Sequence, residues 1–209
     1  MPDQFHHSLT KEQEPIFRGA EYRRFPYQTL NGIIYFQSAN LANGNVVYYD
    51  RPYNDVRLLY DQMTDELITV DITGNSFIRL FSPKVRSFNI HGASFIFVHD
   101  SLKSATGGFW QVLINSEVKL YKKEIKTIAD KIVDHKMSPV VSVQTRYRVV
   151  SRNGEHDVRD RSSLTEALAD QKEAIAAFHR HNRRRFRKAG FETMATETVQ
   201  YYNEMAMRK

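Results

Sequence analysis

The stretch Val85-Arg-Ser-Phe-Asn-Ile-His-Gly-Ala-Ser-Phe-Ile-Phe-Val98 decides the fold. In its first half Val85, Ser87 and Asn89 alternate with Arg86, Phe88 and Ile90, the period-two pattern of a strand with two unlike faces. Phe95-Ile-Phe-Val98 is apolar throughout, as a central strand covered on both sides by a second sheet or a helix must be. Runs of this kind, rich in Tyr, Phe, Ile and Val, recur at roughly ten-residue intervals between Asn31 and Arg159, with Gly, Asn, Asp and Pro between them. Strands are accordingly predicted over 32–36, 45–49, 56–60, 66–70, 77–80, 85–90, 94–98, 109–114, 118–122, 145–150 and 156–159. Asn43-Gly44 and Asn153-Gly154 read as tight hairpin turns, and Thr73-Gly74-Asn75 as a slightly longer loop, because these residues accept positive φ. The segment 139–144 fits either a further strand or a crossing.

Two stretches depart from this pattern. Ile125, Ile128, Ala129 and Ile132 are spaced by three and four, which predicts a short amphipathic helix over 123–135. Ser163-Leu-Thr-Glu166 has the form of a capping box, and Leu164, Leu168, Ile175 and Phe178 share one face of the helix that follows. Ala189-Gly190 ends that helix, and Phe191, Met194, Ala195, Val199, Tyr202 and Met205 give a second one its apolar stripe. The expected organisation is a flexible polar leader over 1–16 with adjacent His6 and His7, a β domain over 17–160, and a helical segment over 161–209 packed on it. The fold class is mainly β with C-terminal α: an antiparallel barrel or two-layer sandwich of about ten strands closed by two helices.

Composition narrows the chemistry. The chain has 209 residues, 41% of them hydrophobic and 12% aromatic, ample for a packed core. Its longest apolar stretch, Ala93 to Val98, falls far short of the about 20 residues that a membrane-crossing helix needs. Without cysteine there are no disulfides, thiolate metal sites or cysteine nucleophiles. The first residues lack the basic start and apolar run of an export signal. The net charge of +6 has a single source: Arg180, Arg183, Arg184, Arg185, Arg187 and Lys188 are six cations in one block without an acid, and the remainder balances at 24 against 24.

That block is the candidate anion- or partner-binding site. Its arginines are forked donors suited to phosphate or carboxylate, and its place near a helix C-terminus, where the dipole stabilises cations, is the competing structural explanation. Phe186 inside it reads as a core residue. Asp50, Asp55, Asp61 and Asp65 are candidates for a hydrolytic carboxylate pair, set against the ordinary use of Asp in turns. The eight histidines include no HExxH and no other metal register, and His179 and His181 point in different directions on one helix. Ser76 and Ser94 lack the closing glycine of a nucleophile elbow, and Gly107-Gly108 is a loop signal only. No metal and no cofactor is expected. Tyr22, Tyr27, Tyr35, Tyr48, Tyr49, Tyr53 and Tyr60 suit either a carbohydrate or peptide groove or half-buried strand positions, and the strand preference of Tyr favours the latter.

Ile16-Phe-Arg-Gly-Ala-Glu-Tyr22, Asn45-Val-Val-Tyr-Tyr-Asp50, Tyr53-Asn-Asp-Val56, Leu58-Leu-Tyr-Asp61 and Asp65-Glu-Leu67 together resemble uncharacterised, typically exported Bacteroidota-type bacterial proteins. Gly108-Phe109, Val112-Leu113, Val118-Lys-Leu120 with Lys126, Ser163-Leu164, Phe178, Asn182, Arg185-Phe-Arg-Lys188 and Tyr201-Tyr202 extend the resemblance over nearly the whole chain. It departs at Asp50-Arg51-Pro52, where an Asp-Gly turn is more usual. The resemblance implies a periplasmic or envelope-associated domain with no assigned reaction. The leading expectation is thus a non-enzymatic cell-envelope accessory or binding protein that meets an envelope protein, an anionic glycan or a lipid headgroup. The alternatives are a nucleic-acid or other polyanion binder using 180–188, for which a cytoplasmic location is equally suitable, and a carboxylate-dependent hydrolase.

Overall fold

A computed structural model of the chain describes residues 14–24, 32–99, 107–133 and 135–207. Its strands are β1 (Ala20–Glu21), β2 (Ala42–Tyr48), β3 (Arg51–Asp61), β4 (Glu66–Val70), β5 (Phe77–Arg79), β6 (Val85–Ile90), β7 (Ala93–Val98), β8 (Gly108–Ile114), β9 (Lys119–Val133), β10 (Lys136–Ser151) and β11 (Gly154–Val158). Three helical segments follow, α1 (Arg161–Ala167), α2 (Lys172–His181) and α3 (Arg183–Met207), the last broken into two helices at Gly190. The strands form one 11-stranded antiparallel sheet in the order β1-β5-β4-β3-β2-β6-β7-β8-β9-β10-β11. The predicted class, mainly antiparallel β with C-terminal α, is what the chain adopts. The order ends at β1 and β11 without joining them, so the sheet is open rather than a closed barrel.

The chain divides into two compact units, Met1–Phe109 with Ile125–Val143, and Trp110–Glu124 with Gln144–Lys209. In the first, β3 and β4 send alternate residues to opposite faces. Leu58, Tyr60 and Leu67 enter a core with Tyr48, Phe88, Phe95 and Phe109, while Leu59 and Ile68 enter another with Tyr22, Ile34 and Tyr35. Tyr60 lies edge-on to Phe88, Phe95 and Phe109 at 5.4, 5.2 and 5.6 Å, a geometry that aromatic quadrupoles favour. Ile16, expected at the end of the leader, is buried in the first core, carried by a 3₁₀ turn over Pro15–Phe17. Residues 1–13 of that leader, His6 and His7 included, lie outside the described residues, as does Tyr27.

Several expectations about local structure are corrected. Asn43-Gly44 is not a turn but part of β2, next to a register shift between Gly44 and Val46. A Cβ on Gly44 would stand 2.1 Å from the Asn89 carbonyl oxygen, so the glycine is there for close strand approach. The β2–β3 hairpin instead turns at Tyr49 and Asp50, with φ of 48° and 60°, between the paired Tyr48 and Arg51. Residues 32–36 form no strand; Tyr35 makes a single bridge to Asp61, with positive φ at Gly32 and Gln37 on either side. The helix predicted over 123–135 is strand, the end of β9 turning into β10, which also absorbs 139–144. Ile125, Thr127, Ile128 and Ile132 are β-branched, and only part of the apparent stripe buries: Ile128 packs against the core of Tyr22 and Tyr35, while Ala129 is exposed and Ile132 is 74% exposed. The alternation in β6 breaks as well: Val85, Phe88 and Ile90 are buried, because the register against β2 shifts between Val47 and Tyr48. The loops at Thr73-Gly74-Asn75 and Asn153-Gly154 are as predicted, with Gly74 and Gly154 at φ of 74° and 113°. Asp71 closes the first by accepting the amide protons of Asn75 and Ser76 at 3.0 and 3.1 Å.

In the second unit Val118, Leu120, Val149 and Val158 pack with Leu164, Leu168, Ile175, Ala195 and Val199 from the helices. Asp160, not Ser163, is the N-cap: its carboxylate accepts from the Ser163 amide at 2.9 Å, and the Ser163 hydroxyl accepts from the Asp160 amide at 3.1 Å. The single helix expected before Gly190 is interrupted at Leu168 and at Asn182. Gly190, at φ 83° and ψ 175°, ends it as predicted. Asn203 of α3 holds the Val118 main chain by both groups of its amide, accepting from N–H and donating to C=O at 2.9 Å each.

Candidate functional site

The six cations of the basic block all stand exposed on the end of α2 and the beginning of α3. Asn182 distorts the backbone for one residue, but its amide bonds to the Phe178 carbonyl and the Phe186 amide bonds to the Asn182 carbonyl, both at 3.0 Å, so the ladder continues across it. Within α3, at about 100° per residue, Arg183, Arg184, Arg187 and Lys188 fall within an arc of about 140°, with Arg180 on the last turn of α2. His179, also at the end of α2, and Phe186, outside that arc in α3, do not share its exposure. Those two are buried. Phe186, expected in the core, is there, edge-on to the His179 ring at 5.9 Å, and Phe178 stacks on Tyr201 at 4.4 Å.

His179 fixes the inner side of this segment. Its Nε2 is 2.8 Å from the Thr198 hydroxyl, which itself donates to the Met194 carbonyl at 2.6 Å. The hydroxyl proton is thus committed, so Nε2 carries the imidazole proton and donates to Thr198. Nδ1 is buried and makes no hydrogen bond among the described residues. Burial first, and the Arg161 charge second, push the His179 pKa down to about 4, which keeps the ring neutral near pH 7.

Of the six cations, Arg185 forms an ion pair with Glu197. Among the described residues Arg180, Arg183, Arg184, Arg187 and Lys188 form none, leaving five exposed positive charges within nine residues. The helix dipole favours only those in the final turns before Asn182 and Gly190, because its effect falls off within one turn.

The other candidates are dispersed. Asp61 is buried; one carboxylate oxygen accepts from the Tyr22 hydroxyl at 2.6 Å and the other from the amides of Met63 and Thr64 at 2.8 and 3.1 Å. Asp65 accepts from the Tyr60 hydroxyl at 2.7 Å. Asp50 pairs with Arg86 at 2.5 Å on the surface, and Asp55 is exposed at φ 54° with its amide bonded to Asn45. Of the tyrosines, Tyr48 and Tyr60 are buried on strands, as the strand preference suggests; Tyr22 and Tyr35 are buried but lie outside the strands, and Tyr49 is 46% exposed. No group of three or more metal-ligating side chains occurs among the described residues. No helix in them is long and apolar enough to cross a membrane.

Sequence reasoning missed two polar clusters. Tyr22 and Tyr35 share a hydroxyl hydrogen bond of 2.9 Å above Asp61, and the Lys126 ammonium donates to the carbonyls of Ile33 and Tyr35 at 3.0 and 2.5 Å. Burial, then the hydrogen bond to Asp61, drives the Tyr22 hydroxyl pKa upward, so this group is a proton donor held in place. In the second unit Lys122 bridges Glu124 and Glu192 at 2.8 and 2.9 Å, and Glu192 accepts from the Tyr147 hydroxyl at 2.9 Å. Apart from Lys122 and Glu124, these partners are far apart in sequence and carry no local signature. The basic block, by contrast, is legible in composition, as six cations without an acid. Comparison of the chain with protein-family models, curated proteins and solved structures finds no match.

Proposed function

We propose that this is a non-enzymatic binding protein whose basic block, Arg180, Arg183, Arg184, Arg187 and Lys188, engages an anionic partner at the cell envelope. One observation carries the reading: five exposed cations within residues 180–188 have no intramolecular counter-ion among the described residues, while His179 and Phe186 among them are buried. Unpaired like charges this close repel one another, and a bound anion removes that cost. The resemblance to exported Bacteroidota-type proteins supports the envelope setting, with an anionic lipid headgroup, an acidic glycan or an envelope protein as the partner. The hydrolytic reading draws no support from the geometry, since Asp61 and Asp65 are engaged in hydrogen bonds that organise their own turn.

Sedimentation with vesicles containing anionic phospholipid, compared with neutral vesicles, tests the reading. Binding to the anionic vesicles is expected to fall with added salt, and to be lost when Arg183, Arg184 and Arg187 are changed to Gln with the circular dichroism spectrum unchanged. Equal sedimentation of the variant would reduce the block to a solvated helix end. Tight binding to nucleic acid instead, losing about 500-fold between about 50 and 200 mM salt for five phosphate contacts, would favour the polyanion alternative.

A further inference from the structure

The β2–β3 hairpin carries an aromatic ring where its geometry least favours one. A two-residue turn with positive φ at both positions is the place for Asn-Gly or Asp-Gly, and a bulky residue there is strained. Here the first position is Tyr49, at φ 48°. Its ring lies edge-on to buried Tyr48 at 4.8 Å, yet the side chain remains 46% exposed. A strained turn that holds an aromatic ring half in solvent points to a use for its outer face.

Tyr49 is a wall shared by two hollows, of about 550 and 390 Å³, each within the size range of small-ligand sites. The larger also presents Arg18, Asp65, Glu66, Arg79 and Phe81, whose ring is 57% exposed. The smaller presents Asp50, Lys84, Arg86 and His99. Both linings mix carboxylates with cations, and Arg79 pairs with Glu66 at 3.0 Å. Nucleic acid would call for cations alone, and an acyl chain gains nothing from Asp65 or Glu66. A saccharide fits: its C–H face rests on an aromatic ring, and its hydroxyls both donate and accept. The smaller hollow further favours an acidic sugar. Asp50 is committed to Arg86, whereas Lys84 has no carboxylate partner among the described residues and its ammonium lies 5.6 Å from the centre of the Tyr49 ring. A carboxylate on a sugar in contact with that ring meets this ammonium.

We propose that the Tyr49–Asp50 hairpin tip is a binding platform for uronate-containing oligosaccharides, with Tyr49 as the stacking surface and Lys84 as the carboxylate partner. The site lies wholly within the first unit and does not rest on the basic block, which belongs to the second. Titration calorimetry with trigalacturonate, and with neutral maltotriose as the control, tests it on the full chain. Saturable binding of trigalacturonate is expected, weakened at least tenfold by Tyr49→Asn and by Lys84→Gln, and unaffected by the Arg183, Arg184 and Arg187 changes. Asn is at home at positive φ, so the Tyr49→Asn protein is expected to melt no lower than the parent while losing the ligand. Phe81→Ser, at an exposed position, gives a second variant that weakens binding without entering the core. Absence of trigalacturonate binding, undiminished binding by both Tyr49→Asn and Phe81→Ser, loss only in the arginine variant, or binding of an acidic peptide but not the saccharide would each overturn the proposal.

Discussion

Acidification should loosen the second unit through one residue, His179. Its ring is neutral in the folded protein, with a pKa pushed down to about 4 against an ordinary value of 6.5. Between these values the unfolded chain binds a proton that the folded chain refuses, so folding loses stability as the pH falls. The contribution is fully present above pH 6.5 and is removed on the way down to pH 4. At about 1.4 kcal/mol per pH unit, the loss reaches about 2.5 kcal/mol by about pH 4.5, a large part of the stability of an ordinary domain. Urea unfolding at several pH values, followed by the fluorescence of Trp110, the chain's single and fully buried tryptophan, reads this directly. His179→Leu removes the titrating group and the partnerless Nδ1, while Thr198 keeps its bond to Met194. The variant should therefore lose most of the dependence between about pH 6.5 and 4.5. A parent protein whose stability is flat over this range, or a variant with the same slope, would refute the reasoning.

Two further substitutions probe the packing. Gly44→Ala drives a methyl against the Asn89 carbonyl and should destabilise the first unit by about 2–4 kcal/mol, measured by thermal melting; a change below about 0.5 kcal/mol would mean that the strands separate easily there. Asn203→Ala strips two hydrogen bonds from the buried Val118 main chain and should cost about 2–3 kcal/mol in denaturant titration, with Asn203→Asp, which replaces the donor by a second acceptor, no better.

Most of the β body was legible because its signals are local. Period two and short turn-rich intervals find β4 and β6 to the residue and most other strands within a few positions. The errors came where two local rules competed or where neither applied. Ile125, Ile128 and Ile132 satisfy the helix period, but their β-branching and pairing partners win, and β9 runs on to Val133. Asn43-Gly44 has turn chemistry, yet the glycine is required by Asn89, 45 positions later in the chain and invisible to a local pattern. Tyr49-Asp50 turns with a bulky ring at its first position, where turn chemistry asks for Asn, Asp or Gly. Of the candidate sites, the basic block is visible in composition alone, six cations in nine residues. The Tyr22, Tyr35 and Asp61 cluster is not, because its members are 13 and 39 residues apart and meet only through the sheet.

The amide of Asn203 does for Val118 what a neighbouring strand's peptide group would do, across 85 residues of intervening chain. During synthesis, the main chain at Val118 cannot acquire this partner until α3 has left the ribosome. Its unpaired groups and the apolar residues beside it must wait, open to other chains, through the making of every later strand and helix. A ribosome stalled before Asn203 would consequently display a polypeptide whose sheet is made but which is still adhesive around Val118.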